Sequence, residues 1–311
     1  MHMNRRNFLK ATAGAAALAS VGVRGAFGAN NRLPIAFSTL GCPAWELPKI
    51  LDFAQQHGFA AIELRGLQGN MDLPTHPAFA AGQIAQTKKD FAGHGLKIAC
   101  VSSSAMMGEA DPAKRAKQIQ DGKRFVDLAV ELNAPYVRVF GKPDDSEKPV
   151  APDEALRKRV ADGLHELGEY SGPKNVTVIL ESHDDFTSSA TLTEVLTEAN
   201  SPHAALLWDA YHTFNTSHEP PAETVKALGK WIRHTHLKDG AGTGNDRKYV
   251  LTGTGDVPVK QQIALLHGIG YKGYYCFEWE KAWHPDLLDP EIAIANYAEV
   301  VSGYLREIQK S

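Results

Sequence analysis

Cysteine is scarce: Cys42, Cys100 and Cys276 are the only three in 311 residues. An odd count without regular spacing is not a disulfide framework. Cys100 and Cys276 stand inside the apolar strings KIACV and YYCFE, where burial suppresses the thiolate, so they read as packing residues. No apolar run is long and hydrophobic enough for a stable membrane span; the alanine-rich stretch ATAGAAALASVGV is short and weakly hydrophobic. A basic excess is also missing. The formal net charge is −3, and residues 1–28 hold Arg5, Arg6, Lys10 and Arg24 with no acid, so the remainder is more acidic still. Such a body has no electrostatic footprint for nucleic acid, and its charge is read as serving solubility. The turn after the first apolar run reads TLGCPAWEL. That is not the glycine-rich phosphate loop a doubly wound dinucleotide fold needs there. No linker or composition shift marks a second domain.

What is present starts with an address. MHMNRRNFLK precedes the alanine run, and Ala26-Phe27-Gly28 supplies small residues for a signal peptidase. The string resembles a twin-arginine export signal, although Asn4 stands where such signals usually carry Ser or Thr. The resemblance implies the twin-arginine translocase as a partner and a periplasmic or otherwise exported location. Cleavage is expected near Gly28 or Ala29, which makes residues 1–29 a signal and 30–311 the folded domain.

Beyond residue 30, strand-like and helix-like segments alternate. The strand candidates are 33–40, 60–66, 97–103, 134–141, 176–183, 203–212, 231–239 and 273–280. Between them lie amphipathic stretches. In one, Leu47, Ile50, Leu51 and Ala54 recur at helical spacing; another carries Ile119, Phe125, Leu128 and Leu132. Gly58, Gly95 and Gly270 stand where helices stop. Eight strand–helix units in one chain of this length predict a closed parallel (β/α)₈ TIM barrel. Strands without strict alternation fit a sheet buried on both faces. The polar stretches 142–154 and 239–256 are expected as long loops over the barrel mouth.

Metal-compatible side chains gather at the ends of the last four strands: Glu181-Ser182-His183, Asp209 to His212, His234-Thr235-His236 with Lys238, and Glu278-Trp279-Glu280. Barrel enzymes build their sites at the C-terminal ends of strands, and adjacent strands lie about 4.8 Å apart. Buried carboxylates that repel one another call for a cation. The strings ILESHDDF, LLWDAYHTF, HTHLKD and CFEWE resemble the xylose isomerase-like sugar isomerase/epimerase superfamily over about residues 33–305. That resemblance implies one divalent metal on Glu181, Asp209, His236 and Glu278. His236 is preferred to His234, because the two are expected on opposite strand faces and the second His of the pair matches the family ligand. Glu280 is assigned to the loop.

His183 and His212 resemble the family's substrate-contacting histidines. Lys238 is expected to meet a substrate oxygen, and Glu63, Arg65 and Arg138 to face the mouth, with Arg138 alternatively half of an internal ion pair. Trp45, Trp208, Trp279 and Trp283 offer flat faces for sugar rings or fill the core. A set of three carboxylates and one imidazole suits Mn²⁺ or Mg²⁺, with Co²⁺ or Zn²⁺ as further candidates. The implied activity on a carbohydrate is proton abstraction next to a carbonyl through a metal-stabilised enediolate, with Glu181 and Glu278 as acid and base. Isomerisation or epimerisation is the first outcome; β-elimination of the C1 substituent from a 3-ketoglycoside is the second. A sugar-binding barrel without turnover is the reading from another class, and a homo-oligomer is left open.

Overall fold

The computed structural model describes residues 32–143 and 151–310; the signal lies outside them. Eight strands close a parallel barrel: β1 (Ile35–Ser38), β2 (Ala61–Leu64), β3 (Lys97–Met106), β4 (Tyr136–Phe140), β5 (Thr177–Glu181), β6 (Ala204–Asp209), β7 (Ile232–Leu237) and β10 (Tyr275–Phe277). β10 pairs with both β7 and β1, which completes the ring. The polar stretch after β7 is more ordered than a long loop: β8 (Asp239–Ala241) and β9 (Lys248–Val250) form an antiparallel hairpin.

Around the barrel run α1 (Leu47–Gln56), α2 (Ile84–Gly93), α3 (Pro112–Leu132), α4 (Glu154–Ser171), α5 (Ser189–Ala199), α6 (Ala210–Asn215), α7 (Pro221–Leu228), α8 (Val259–Gly268) and α9 (Pro290–Ile308). The apolar stripe of α1 is the buried face, with Leu47, Ile50, Leu51 and Ala54 turned to the core. α3 starts where Asp111 accepts a hydrogen bond from the Lys114 amide, with Pro112 in the first turn, and stops at the left-handed Asn133. Gly58, Gly95 and Gly270 adopt φ of 76°, 65° and 74° just past their helices, a conformation open to a residue without Cβ.

The strands explain the site. Residues two apart in a strand share a face. One face packs against the helices in the main core, which includes Phe37, Ile62, Val137, Leu180, Leu206, Leu237 and Phe277. The other face turns into the barrel. Ala36, Ala61, Ala99 and Cys276 cluster there, as do Cys100, Ile179, Ala205 and Leu207. One or two steps further along the same face stand Ser38, Glu63, Arg138, Glu181, Asp209, His236 and Glu278, all buried. The inward register thus changes from small or apolar to charged toward the C-terminal ends. Burial also raises the Cys100 and Cys276 thiols, so both are inert packing groups.

Candidate metal centre

Glu181 ends β5, Asp209 ends β6, His236 lies in β7 and Glu278 follows β10. One ligand atom from each lies within 4.8 Å of the other three. Strand register brings them level: Asp209 is opposite His236, and His236 is opposite Cys276, two residues before Glu278.

His236 and Asp209 are oriented from behind. His236 Nδ1 faces the carboxylates, 2.7 Å from Glu181 Oε1, 3.1 Å from Glu278 Oε1 and 3.9 Å from Asp209 Oδ2. Its Nε2 meets Glu63 Oε2 at 2.8 Å. A carboxylate behind an imidazole fixes ring orientation and raises its basicity as a ligand. Asp209 Oδ1 accepts from the Tyr211 and His212 amides at the start of α6, which leaves Oδ2 turned to the cluster. Glu181 Oε2 is buried without a hydrogen-bond partner. Three converging carboxylates and an imidazole nitrogen aimed among them fit a hard divalent cation.

Burial raises the carboxyl of Asp209 above its ordinary value even though Lys238 opposes it. Glu278 goes the other way: burial is outweighed by His236 and Lys238, which hold it well below the usual carboxylate range. Burial opposes the charged form of His183, but the Asp184 carboxylate 3.1 Å from its Nδ1 and the Glu181 charge lift it to about 9. His212 is driven down to about 3, first by burial, then by the charges of His183 and Lys238.

A cavity of about 280 Å³ opens over the cluster, with Arg65, Arg138, Phe140, Glu181, His183, Glu278 and Glu280 among its walls. His183 therefore faces ligand space. His212 stands behind it, the rings edge-on at 4.4 Å, and lines a neighbouring cavity of about 770 Å³. Trp45, Trp208 and Trp279 are core, whereas Trp283 is 52 % exposed at the lip of the smaller cavity.

Three expectations are corrected. His234 and His236 do not face opposite sides: being two residues apart they share the inward face, and both reach Glu63 Oε2, at 2.7 and 2.8 Å. Glu63 is not at the mouth. It is fully buried below the cluster and accepts from Ser38, His234 and His236. Lys238 does not reach into the cavity. Its ammonium lies 2.6 Å from Asp209, 2.5 Å from Glu278 and 2.9 Å from Glu280, donating hydrogen bonds to the first two and ion-pairing with the third. Arg138 is both things expected of it: it lines the cavity, and its Nε is 3.3 Å from Glu181 Oε2. Sequence reasoning missed Glu280, which is in the loop as expected yet buried against Lys238 and held by the Tyr249 hydroxyl at 2.8 Å. Its place two residues after Glu278 was the available signal.

The sequence pattern described as xylose isomerase-like TIM barrel matches residues 51–300. That of the twin-arginine translocation pathway signal matches residues 2–22, so the chain carries an export signal of that route. Inosose dehydratase 2 of Bacillus cereus is 26% identical over 160 residues, 46% of this chain and 52% of that protein. The match thus spans about half the length of this curated relative. Among solved structures, an L-ribulose 3-epimerase superposes with a TM-score of 0.72 at 19% identity, covering 89% of this chain and 95% of the other. A xylose isomerase-like TIM barrel protein from Mycobacterium smegmatis, in complex with magnesium, gives 0.69 at 18%, covering 91% and 99%. At these identities the structural likeness speaks for the fold.

Proposed function

The chain belongs to the xylose isomerase-like TIM barrel family, and from that premise we propose that it is a divalent-metal-dependent sugar isomerase or epimerase that removes a proton next to a carbonyl. The observation that carries this reading is the buried four-ligand cluster beneath a cavity of monosaccharide scale. Glu181, Asp209, His236 and Glu278 would hold the ion, with Mn²⁺ favoured over Mg²⁺, Co²⁺ and Zn²⁺. When bound, the ion supplies Lewis acidity toward the substrate oxygens. Glu181 and Glu278 line the cavity and are the candidate acid and base. Lys238 beside Glu278 favours its charged form, and Arg138 Nε stands 3.3 Å from Glu181 Oε2. His183 and Arg65 line the cavity where a substrate hydroxyl would lie.

Elimination is the second reading, and His183 favours it. A histidine held charged up to about pH 9 at the cavity wall can give a proton to a departing oxygen. The name of the inosose dehydratase relative points the same way, as does export, since glycosides occur outside the cytoplasm. The two outcomes share their first step.

The test is incubation of manganese-loaded protein in D₂O with ketoses, aldoses and 3-ketoglycosides, followed by NMR. Deuterium entering next to the carbonyl is expected. A released C1 substituent or a lost hydroxyl assigns elimination. Manganese bound without exchange on any member of the panel would sink the enzymatic reading and favour a sugar-binding barrel.

A further inference from the structure

Two arginines enter the cavity without a full set of partners. Arg138 is 1 % exposed, and neither its Nε nor its Nη1 makes a hydrogen bond. Its approach to Glu181 Oε2 at 3.3 Å is an ion-pair contact only. The guanidinium lies over the Phe140 ring, 3.9 Å from the centroid. Arg65 is 5 % exposed, and its Nη1 points at Met71 Sδ at 3.5 Å, a weak acceptor. Both arginines line the 280 Å³ cavity.

A buried guanidinium is costly unless it is paired and hydrogen-bonded. The surrounding carboxylates attract these two by charge, but leave Arg138 Nε and Nη1 without a hydrogen bond. Glu63 is engaged by Ser38, His234 and His236, Glu278 by Lys238 and Glu181 by His236. A divalent ion on Glu181 and Glu278 would draw further on their charge. That leaves two planar forks on the β2 and β4 side of a small cavity, Arg138 beside the cluster residue Glu181, complementary to a planar anion.

We propose that Arg65 and Arg138 form a carboxylate-recognition site, and that this pocket takes an acidic sugar or polyol whose carboxylate meets them while its carbonyl end meets the metal cluster. The proposal rests on the pocket being the substrate site of a sugar-processing enzyme. It commits to a carboxylate because the cavity is at the small end of ligand pockets and the guanidinium fork matches that group in two parallel hydrogen bonds.

The experiment is calorimetric titration of the manganese-loaded and the metal-free protein with D-glucuronate, D-glucose and inorganic phosphate. Glucuronate is expected to bind at least about tenfold more tightly than glucose to both forms, a preference of charge-assisted size. Arg65→Gln should remove that preference, and Arg65→Lys should restore part of it, with manganese affinity unchanged in both. Arg138→Gln should act like Arg65→Gln; because Arg138 is so deeply buried, thermal melting checks its fold, and the Arg65 pair carries the test if it does not fold. Equal binding of glucuronate and glucose would overturn the proposal. So would a preference that survives Arg65→Gln, or phosphate displacing glucuronate. Deuterium exchange on a neutral ketose alongside equal binding would leave the enzymatic reading standing and remove this one alone.

Discussion

Glu63 holds two imidazoles with one oxygen: Oε2 meets His234 Nε2 at 2.7 Å and His236 Nε2 at 2.8 Å. It touches no substrate space, yet it fixes which nitrogen of His236 is offered to an ion. Glu63→Gln is therefore expected to weaken manganese binding by about 10–100-fold, the usual cost of losing such a partner, measured by calorimetry. Unchanged affinity would show that His236 needs no such support. Glu278→Gln keeps one oxygen for a metal but removes the base, and turnover should fall by about two orders of magnitude or more. Full deuterium wash-in by that variant would leave Glu181 as the sole candidate. His183 and His212 should shape the pH dependence of stability in opposite directions. Folded His212 titrates at about 3 against 6.5 for an ordinary histidine. Below pH 6.5 the unfolded chain takes up a proton that the folded chain refuses, so stability falls with acid by at most about 1.4 kcal/mol per pH unit from this group. Folded His183 titrates at about 9. Its contribution is complete below pH 6.5 and disappears as pH rises through 9. Melting curves of chelator-treated protein from pH 4 to 9 should show both limbs. His212→Gln should flatten the acid limb and His183→Gln the alkaline one; a variant that leaves its limb unchanged removes that assignment.

The β8–β9 hairpin is organised by one side chain. The buried Asp239 carboxylate accepts from the amides of Gly240, Gly253, Gly255 and Val257, at 2.8, 2.9, 3.0 and 3.2 Å. A Cβ on Gly255 would run into Asp239 and the Gly240 carbonyl, so the close approach depends on glycine there. Asp239→Ala leaves those donors without their acceptor. It should cost about 3 kcal/mol in urea unfolding and speed amide exchange over residues 248–257. Exchange at the native rate would mean that the hairpin is held by other contacts. This element also marks where sequence reading stops. The barrel strands and α1 were legible because burial imposes a period on the chain, and Leu47, Ile50, Leu51 and Ala54 carry that period openly. The strands Asp239–Ala241 and Lys248–Val250 lie in a polar stretch without a sustained apolar run to mark them. The four clustered metal-compatible residues were visible because each closes an apolar run. The role of Glu63 was not, since its partner His234 lies 171 residues further along, and nothing local connects them. Lys238 was misjudged for a related reason: its neighbours in sequence suggest an outward reach, while its three carboxylate contacts come from β6 and from the segment after β10.

For the whole molecule, closure of β10 on β1 places the polar ends of the inward registers, most of them charged, around one opening. Among the described residues no helix is long and apolar enough to cross a membrane. The twin-arginine signal sends the chain across one instead. Arg5→Lys together with Arg6→Lys should leave full-length precursor in the cytoplasm, read by fractionation and immunoblotting; normal export of that double variant would point to another route. The position of Lys238 bears on that journey. An ammonium tethered to its own backbone cannot diffuse away or be captured by a chelator, so the nest of Asp209, Glu278 and Glu280 always has a resident counter-charge. That counter-charge offsets the mutual repulsion of these carboxylates before any ion is acquired, so chelation is expected to leave the barrel folded, with an unchanged far-UV circular dichroism spectrum; unfolding on chelation would show that the ion itself holds the ends of the strands together.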